Sequence, residues 1–143
     1  MTVLAFTVPG EPVAKGRPRF TRSGFAYPDK KTDRYENLVR LAYVEAYPDR
    51  KPAEGPIAVT IRAYFPPLKS WNKKKKEAAA GDNLPKTTKP DLDNLVKILD
   101  GLNKIAWVDD AQIYNIEAWK GYSERPRMEI MIFVEEEEED GIY

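Results

Sequence analysis

Lys89 to Ile113 reads KPDLDNLVKILDGLNKIAWVDDAQI, and the assignment of its acids and leucines decides the rest. Leu92, Leu95, Val96, Leu99, Leu102 and Ile105 recur at the spacing of one helix face. The pattern predicts an amphipathic helix from Asp91 to Ile105 with its leucine stripe turned to a core. Aspartates stand at both ends: Asp91 and Asp93 flank a leucine, and Asp109 and Asp110 follow Trp107-Val108. Asp93, Lys97 and Asp100 fall at i, i+4 and i+7, on the face away from the leucines. Taken singly, each has a structural use. An aspartate at a helix start accepts backbone N–H bonds and complements the dipole. An Asp–Lys pair four residues apart contributes about 0.2–0.5 kcal/mol, and an adjacent acid pair suits a turn. Taken together, they offer carboxylates for a metal with an ammonium group beside it, facing a phosphate.

Working outward, Ile57 to Phe65, IAVTIRAYF, alternates as a half-buried strand, with Ile57, Val59, Ile61, Ala63 and Phe65 on one face. Pro66-Pro67 stop it. Ser70 to Ala80 reads as a short basic helix capped by Ser70, with Gly81 just past its end. The segment GDNLPKTTKP then leads into Asp91. Downstream, Ile113 to Tyr122 and Met128 to Val134 read as strands joined by a turn at SERPR. At the other end, Val3 to Val8 is a short strand stopped by Pro9-Gly10, followed by a Gly-, Pro- and Arg-rich loop expected to be irregular. Thr32 or Asp33 is placed to cap a helix carrying Tyr35, Leu38, Val39, Ala42 and Ala46, which Pro48 ends. The order β-α-β-α-α-β-β predicts one α/β (α+β) domain over residues 1–134, followed by an acidic tail at 135–143.

Composition narrows the chemistry. The chain has 143 residues, which suits one core, and it has neither cysteine nor histidine. Disulfides, thiolate metal sites, Ser-His triads and the common zinc sites are excluded. A metal held by what remains is a hard, oxygen-liking ion such as Mg²⁺ or Mn²⁺. MTVLAFTVPGEP lacks the basic start and long apolar run of a signal peptide, and no run approaches a membrane span. The expectation is a cytoplasmic protein with no membrane partner.

Net charge is zero, yet the charges lie in opposed blocks. Residues 1–90 carry 18 Lys+Arg against 9 Asp+Glu, residues 91–134 carry 5 against 8, and Glu135 to Asp140 are six consecutive acids. A basic part with a local acidic patch fits a polyanion binder that also holds metal. Lys15, Arg17, Arg19 and Arg22 alternate with Phe20, Phe25 and Tyr27 in the N-terminal loop. Lys69, Lys73, Lys74, Lys75, Lys76 and Lys89 supply further cations. Such residues neutralise phosphates, and aromatics in loops stack on exposed bases.

A helix from Asp91 to Ile105 is about 20 Å long. Asp110 therefore has to return along it before three carboxylates can converge on one Mg²⁺. Such a cage suits phosphoryl transfer, with a lysine steadying the charge that develops.

DLDN followed by Lys97, then LDGLN, Trp107 and DDAQI, resembles the RusA family of Holliday junction resolvases. The likeness extends to KGRPRF, KSWNKKKK, KPDLDN and WVDDAQI, so it spans most of the chain. It implies a mixed β-sheet with helices packed on it, in a homodimeric, Mg²⁺-dependent endonuclease of phages and prophages. Such enzymes cut four-way DNA junctions by paired symmetric nicks in recombination and repair, without a small-molecule cofactor. By motif, Asp91, Asp93 and Asp110 become the metal carboxylates, with Asp109 as second choice beside Asp110, and Lys97 becomes the catalytic lysine. The KGRPRF loop matches the phage branch and not the founding member. A C2 dimer fits a junction that is itself twofold. Two alternatives stand beside this reading: a broader nuclease of flaps and forks in phage DNA processing, and an inactive DNA-binding module.

Overall fold

The computed structural model describes residues 1–136 of the chain. Its centre is β4, Ile57–Phe65, the strand whose alternation is clearest in the sequence. On one side β4 pairs antiparallel with β6, Arg127–Val134, and β6 pairs antiparallel with β1, Thr2–Pro9. On the other side β4 pairs in parallel with β5, Ile113–Tyr122, giving the sheet order β1-β6-β4-β5. The expected α+β domain with a mixed sheet is thus found. Ser123 to Pro126 joins β5 to β6 as expected, but the two strands do not pair, because β4 lies between them. Hairpin neighbours are the commoner outcome of a short turn. Here the parallel β4–β5 pairing displaces it.

Register explains the core. Phe6, Ile130, Ile61 and Ala118 form one row across the four strands, and Leu4, Ile132, Val59 and Ile116 form the next. The inner members are fully buried, whereas Ile116 on the edge strand remains 38% exposed. Over this face lies α1, Lys30–Ala46, which buries Tyr35, Val39 and Tyr43. Tyr43 meets Phe6 edge-to-face at 5.5 Å between ring centroids, an arrangement aromatic quadrupoles favour. The cap of α1 is Asp29, whose side chain accepts from the Thr32 N–H, while Thr32 itself is buried within the first turn. The cap thus falls earlier than Thr32 or Asp33.

The N-terminal loop is less irregular than its composition predicts. Arg19–Phe20 (β2) and Ala26–Tyr27 (β3) pair as a small antiparallel hairpin, turned through Gly24 at φ +88°. The basic helix α2 spans Lys73–Ala80 and is capped by Asn72 in place of Ser70, with Gly81 at its end as expected.

The largest departure lies in the opening stretch. The α-helix covers only Leu92–Val96 (α3) and then tightens into a 3₁₀ segment, Lys97–Leu102. Gly101 gives the reason. A Cβ there would sit 3.0 Å from the Glu36 carbonyl oxygen, so the backbone packs directly on α1. The Gly101 carbonyl accepts from Arg40 Nε at 3.1 Å, a tertiary bond in place of a helical one. Of the predicted stripe, Leu95, Leu99 and Leu102 are buried, Val96 and Ile105 are half-buried and Leu92 is exposed, while Ile98, outside the stripe, is buried beside them. No helix among the described residues is long and apolar enough to cross a membrane.

One glycine ties the sheet to the segment that precedes α3. Gly121 bridges to Pro85, and a Cβ on it would lie 2.6 Å from the Leu84 carbonyl oxygen and 2.1 Å from the Trp119 ring. The ring can turn away but the carbonyl cannot without moving the strand. Gly121→Ala is therefore expected to cost about 1–3 kcal/mol in a urea titration; an unchanged midpoint would show that the segment yields freely.

Candidate active site

The segment before α3 is clamped from the sheet. Lys120, near the end of β5, donates from Nζ to the carbonyls of Thr88 (2.7 Å) and Pro90 (2.6 Å). The Lys86 N–H returns a bond to the Lys120 carbonyl at 3.1 Å, and the Tyr122 N–H bonds the Leu84 carbonyl. Asp91, the residue that follows, holds the N-cap position of α3, yet its side chain makes no capping bond. Its Oδ1 instead accepts from Lys89 Nζ at 2.9 Å, and that hydrogen bond holds the carboxyl below the usual carboxylate range. It is exposed, ionised and free of the structural duty its position suggests.

Asp93 lies in the first turn of α3 and is exposed; its carbonyl accepts the Lys97 N–H, but its carboxylate makes no hydrogen bond to another described residue. Lys97 follows one turn later. It does not bridge to Asp93; its Nζ lies 3.4 Å from Asn94 Oδ1. Asp93 and Lys97, with Leu92 and Val96, rim an open depression floored by Ile116 and Ala118 of β5. Asp100, the third member of the i, i+4, i+7 set, turns away to Lys15 at 2.7 Å.

The other acids stand elsewhere. Asp109 caps a 3₁₀ turn, Asp110–Gln112: its side chain accepts from the Ala111 N–H, and its own N–H donates to Gln112 Oε1 at 2.8 Å. Asp110 Oδ1 accepts from the indole N–H of the fully buried Trp107 at 2.7 Å, and its N–H donates to Asn103 Oδ1 at 3.1 Å. Asp109 is thus occupied as a cap, while Asp110 is fixed in direction with its second oxygen unpartnered among the described residues. The clamp on the Asp91 segment is at Lys120, and Asp110 precedes Ile113. The two ends of β5 so marked are about 23 Å apart. Among the described residues no three acidic side chains form a group that could hold a metal ion. A single chain therefore brings Asp91, Asp93 and Lys97 into one region and leaves Asp110 outside it.

The cations divide in the same way. Arg17, Arg22, Lys69, Lys73, Lys74 and Lys76 are exposed. Lys75 lies over the Trp71 ring at 4.3 Å, and Lys89 is committed to Asp91. Arg19 pairs with Asp29 at 3.0 Å. Lys15 is spent internally, between Asp100 and Glu36 at 3.4 Å, and its N–H bonds the Asn94 carbonyl at 2.9 Å. It fastens the N-terminal loop to α3. Burial pushes the Glu36 carboxyl up, and the Lys15 ammonium pulls it back.

Sequence reasoning assigned no role to Lys120, Asn94 or Trp107. Lys120 is one lysine in AWKGY and signals nothing by pattern, since its partners are backbone carbonyls 30 and 32 residues away. Trp107 reads as ordinary core until its N–H is seen to aim Asp110.

With this geometry in view, two similarities are informative. A family model described as Endodeoxyribonuclease RusA matches residues 9–133. An uncharacterized protein of Bacillus subtilis (strain 168), YqaN, is 41% identical over 138 residues, covering 92% of this chain and 96% of its own.

Proposed function

Because the chain belongs to the RusA family of endodeoxyribonucleases, we propose that it is a Mg²⁺-dependent enzyme that resolves four-way DNA junctions by paired symmetric nicks in recombination and repair. The observation that carries the reading is the state of Asp91 and Asp93. Asp91 is exposed at the helix start and leaves its capping bond unused, and Asp93, two residues on, stands with Lys97 on the rim of one depression. Carboxylates that serve neither the cap nor the core, close to an ammonium, are hard to justify as structure.

The donor set fits a hard cation. It is all oxygen, and neither thiol nor imidazole is present to favour a softer ion. Asp91 and Asp93 would hold Mg²⁺, or Mn²⁺ in its place. The metal, when bound, would neutralise charge on the scissile phosphate. The Lys89 ammonium keeps Asp91 ionised, and Lys97 offers its ammonium to a phosphate oxygen as negative charge grows there. Lys120 fixes the backbone on which Asp91 stands.

The third carboxylate points to a homodimer. Lys120 and Tyr122 turn their backbone groups outward to residues 84–86, so Ile116 and Ala118, of like parity, turn theirs outward as well. Among the described residues nothing pairs with that edge there. An antiparallel pairing of two such edges, about a twofold near Asn115–Ile116, brings Asp110 of a second copy level with Lys120–Tyr122. That is the end that carries Asp91. The same twofold gives two sites for two strands.

The test uses a synthetic four-way junction, a fork and a linear duplex, each with Mg²⁺ or a chelator. Paired symmetric nicks confined to the junction, and only with metal, are expected. Equal cutting of the fork would favour the broader branched-DNA nuclease, and binding without cutting an inactive DNA-binding module.

A further inference from the structure

We propose that the hairpin β2–β3 is a wedge that enters the branch point of the DNA and stacks unpaired bases on both of its faces, Phe20 on one and Phe25 on the other; the inference rests on the branched-DNA reading above. Arg19 is paired with Tyr27 and Phe20 with Ala26, and the Thr21 N–H bonds the Phe25 carbonyl at 2.9 Å, continuing the ribbon one step. Side chains alternate along such a ribbon. Phe25, Tyr27 and Arg19 thus fall on one face, and Phe20 on the other.

Both faces are apolar and open. Phe20 is 67% exposed, Phe25 72% and Tyr27 42%. A ribbon built to dock on a protein surface hides one face and keeps the other polar. Apolar groups on both faces suit a slot with apolar surface on two sides, which adjacent base steps provide when a side chain enters between them. Aromatic rings stack on any base, so the contact needs no particular sequence. Arg17 and Arg22 flank the ribbon, exposed and with no ion pair among the described residues, where phosphates would converge.

The root of the hairpin is fixed beside the candidate catalytic residues. The Lys15 N–H holds the Asn94 carbonyl, next to Asp93, and the Gly16 N–H donates to Thr32 Oγ1 at 2.7 Å. Gly16 fits closely: a Cβ there would stand 3.2 Å from both Thr32 Oγ1 and Asp29 Oδ2. Bases opened by the tip would therefore expose a phosphate near Asp93 and Lys97.

The experiment places 2-aminopurine at the branch point of a four-way junction and substitutes Ca²⁺ for Mg²⁺ to keep the DNA whole. Wild type is expected to raise the fluorescence several-fold on binding. The double variant Phe20→Ala/Phe25→Ala is expected to bind without that rise, with the wild-type urea midpoint. In Mg²⁺ it should cut the intact junction about tenfold or more slowly, on the scale of lost base stacking. It should cut at the wild-type rate a junction whose central pairs are mismatched and already open. A persisting rise, or no recovery on the open junction, would overturn the wedge. A wild type that neither binds nor cuts any branched DNA would overturn the functional reading, and the wedge with it; binding tells the two failures apart.

Discussion

Asp93→Asn is expected to reduce cutting of a four-way junction by about a hundredfold to a thousandfold or more, the scale seen when one preorganised electrostatic group is lost, while junction binding is kept or slightly strengthened. The asymmetry follows from where Asp93 stands. Its side chain is exposed, bonds no other described residue, and has no part in the cap or the core. The amide is the same size, so α3 should not move. What disappears is one negative charge from the rim shared with Lys97. Binding to a polyanion loses a repulsion, whereas a hard cation loses one of its carboxylate ligands. Gel-shift titration in chelator and nicking in Mg²⁺ separate the two effects. Asp109→Asn is the control. Asn can accept the Ala111 N–H as Asp109 does, so cutting should stay within a few-fold of wild type. Full activity of Asp93→Asn would sink the site assignment.

The parts of the fold legible in the sequence are those set by local periodicity. β4 could be read residue for residue because alternation over IAVTIRAYF has only one strand interpretation. The ends of β5 were legible for the same reason, but not its place in the sheet, since strand order depends on which edges meet after collapse. The helix that the spacing predicts from Asp91 to Ile105 is longer than the one that forms. Its leucines keep helical spacing through Leu102, but spacing cannot reveal that Gly101 will press against Glu36 and give its carbonyl to Arg40. The same limit applies to the site. Asp91, Asp93 and Lys97 lie within two turns of one continuous helical segment, so the sequence holds them together. Asp110 is related to them only through a strand and its edge, and no spacing rule within the chain carries that information.

That separation makes the second prediction sharp. If the site needs Asp110, and one chain does not bring Asp110 to Asp91 and Asp93, a second copy has to supply it. Asp93→Asn and Asp110→Asn homodimers are each expected to be inactive. A heterodimer of the two, isolated with a different tag on each chain, is expected to regain cutting. In the crossed arrangement one of its sites takes Asp91 and Asp93 from the Asp110→Asn chain and Asp110 from the Asp93→Asn chain. That site is complete. The other carries both substitutions and stays silent, so the heterodimer should nick one strand at roughly half the wild-type first-cut rate and leave its partner strand whole. If each site were built within one chain, every site in the heterodimer would lack an acid and no cutting would return. Denaturing gels that resolve the two strands distinguish single from paired nicks, and the urea midpoints of both variants check that neither substitution unfolds the chain. Asp110→Asn keeps an oxygen to accept the Trp107 N–H, so its inactivity would reflect the lost charge and not a loosened core. Absence of complementation in a heterodimer that still binds the junction would eliminate the crossed site.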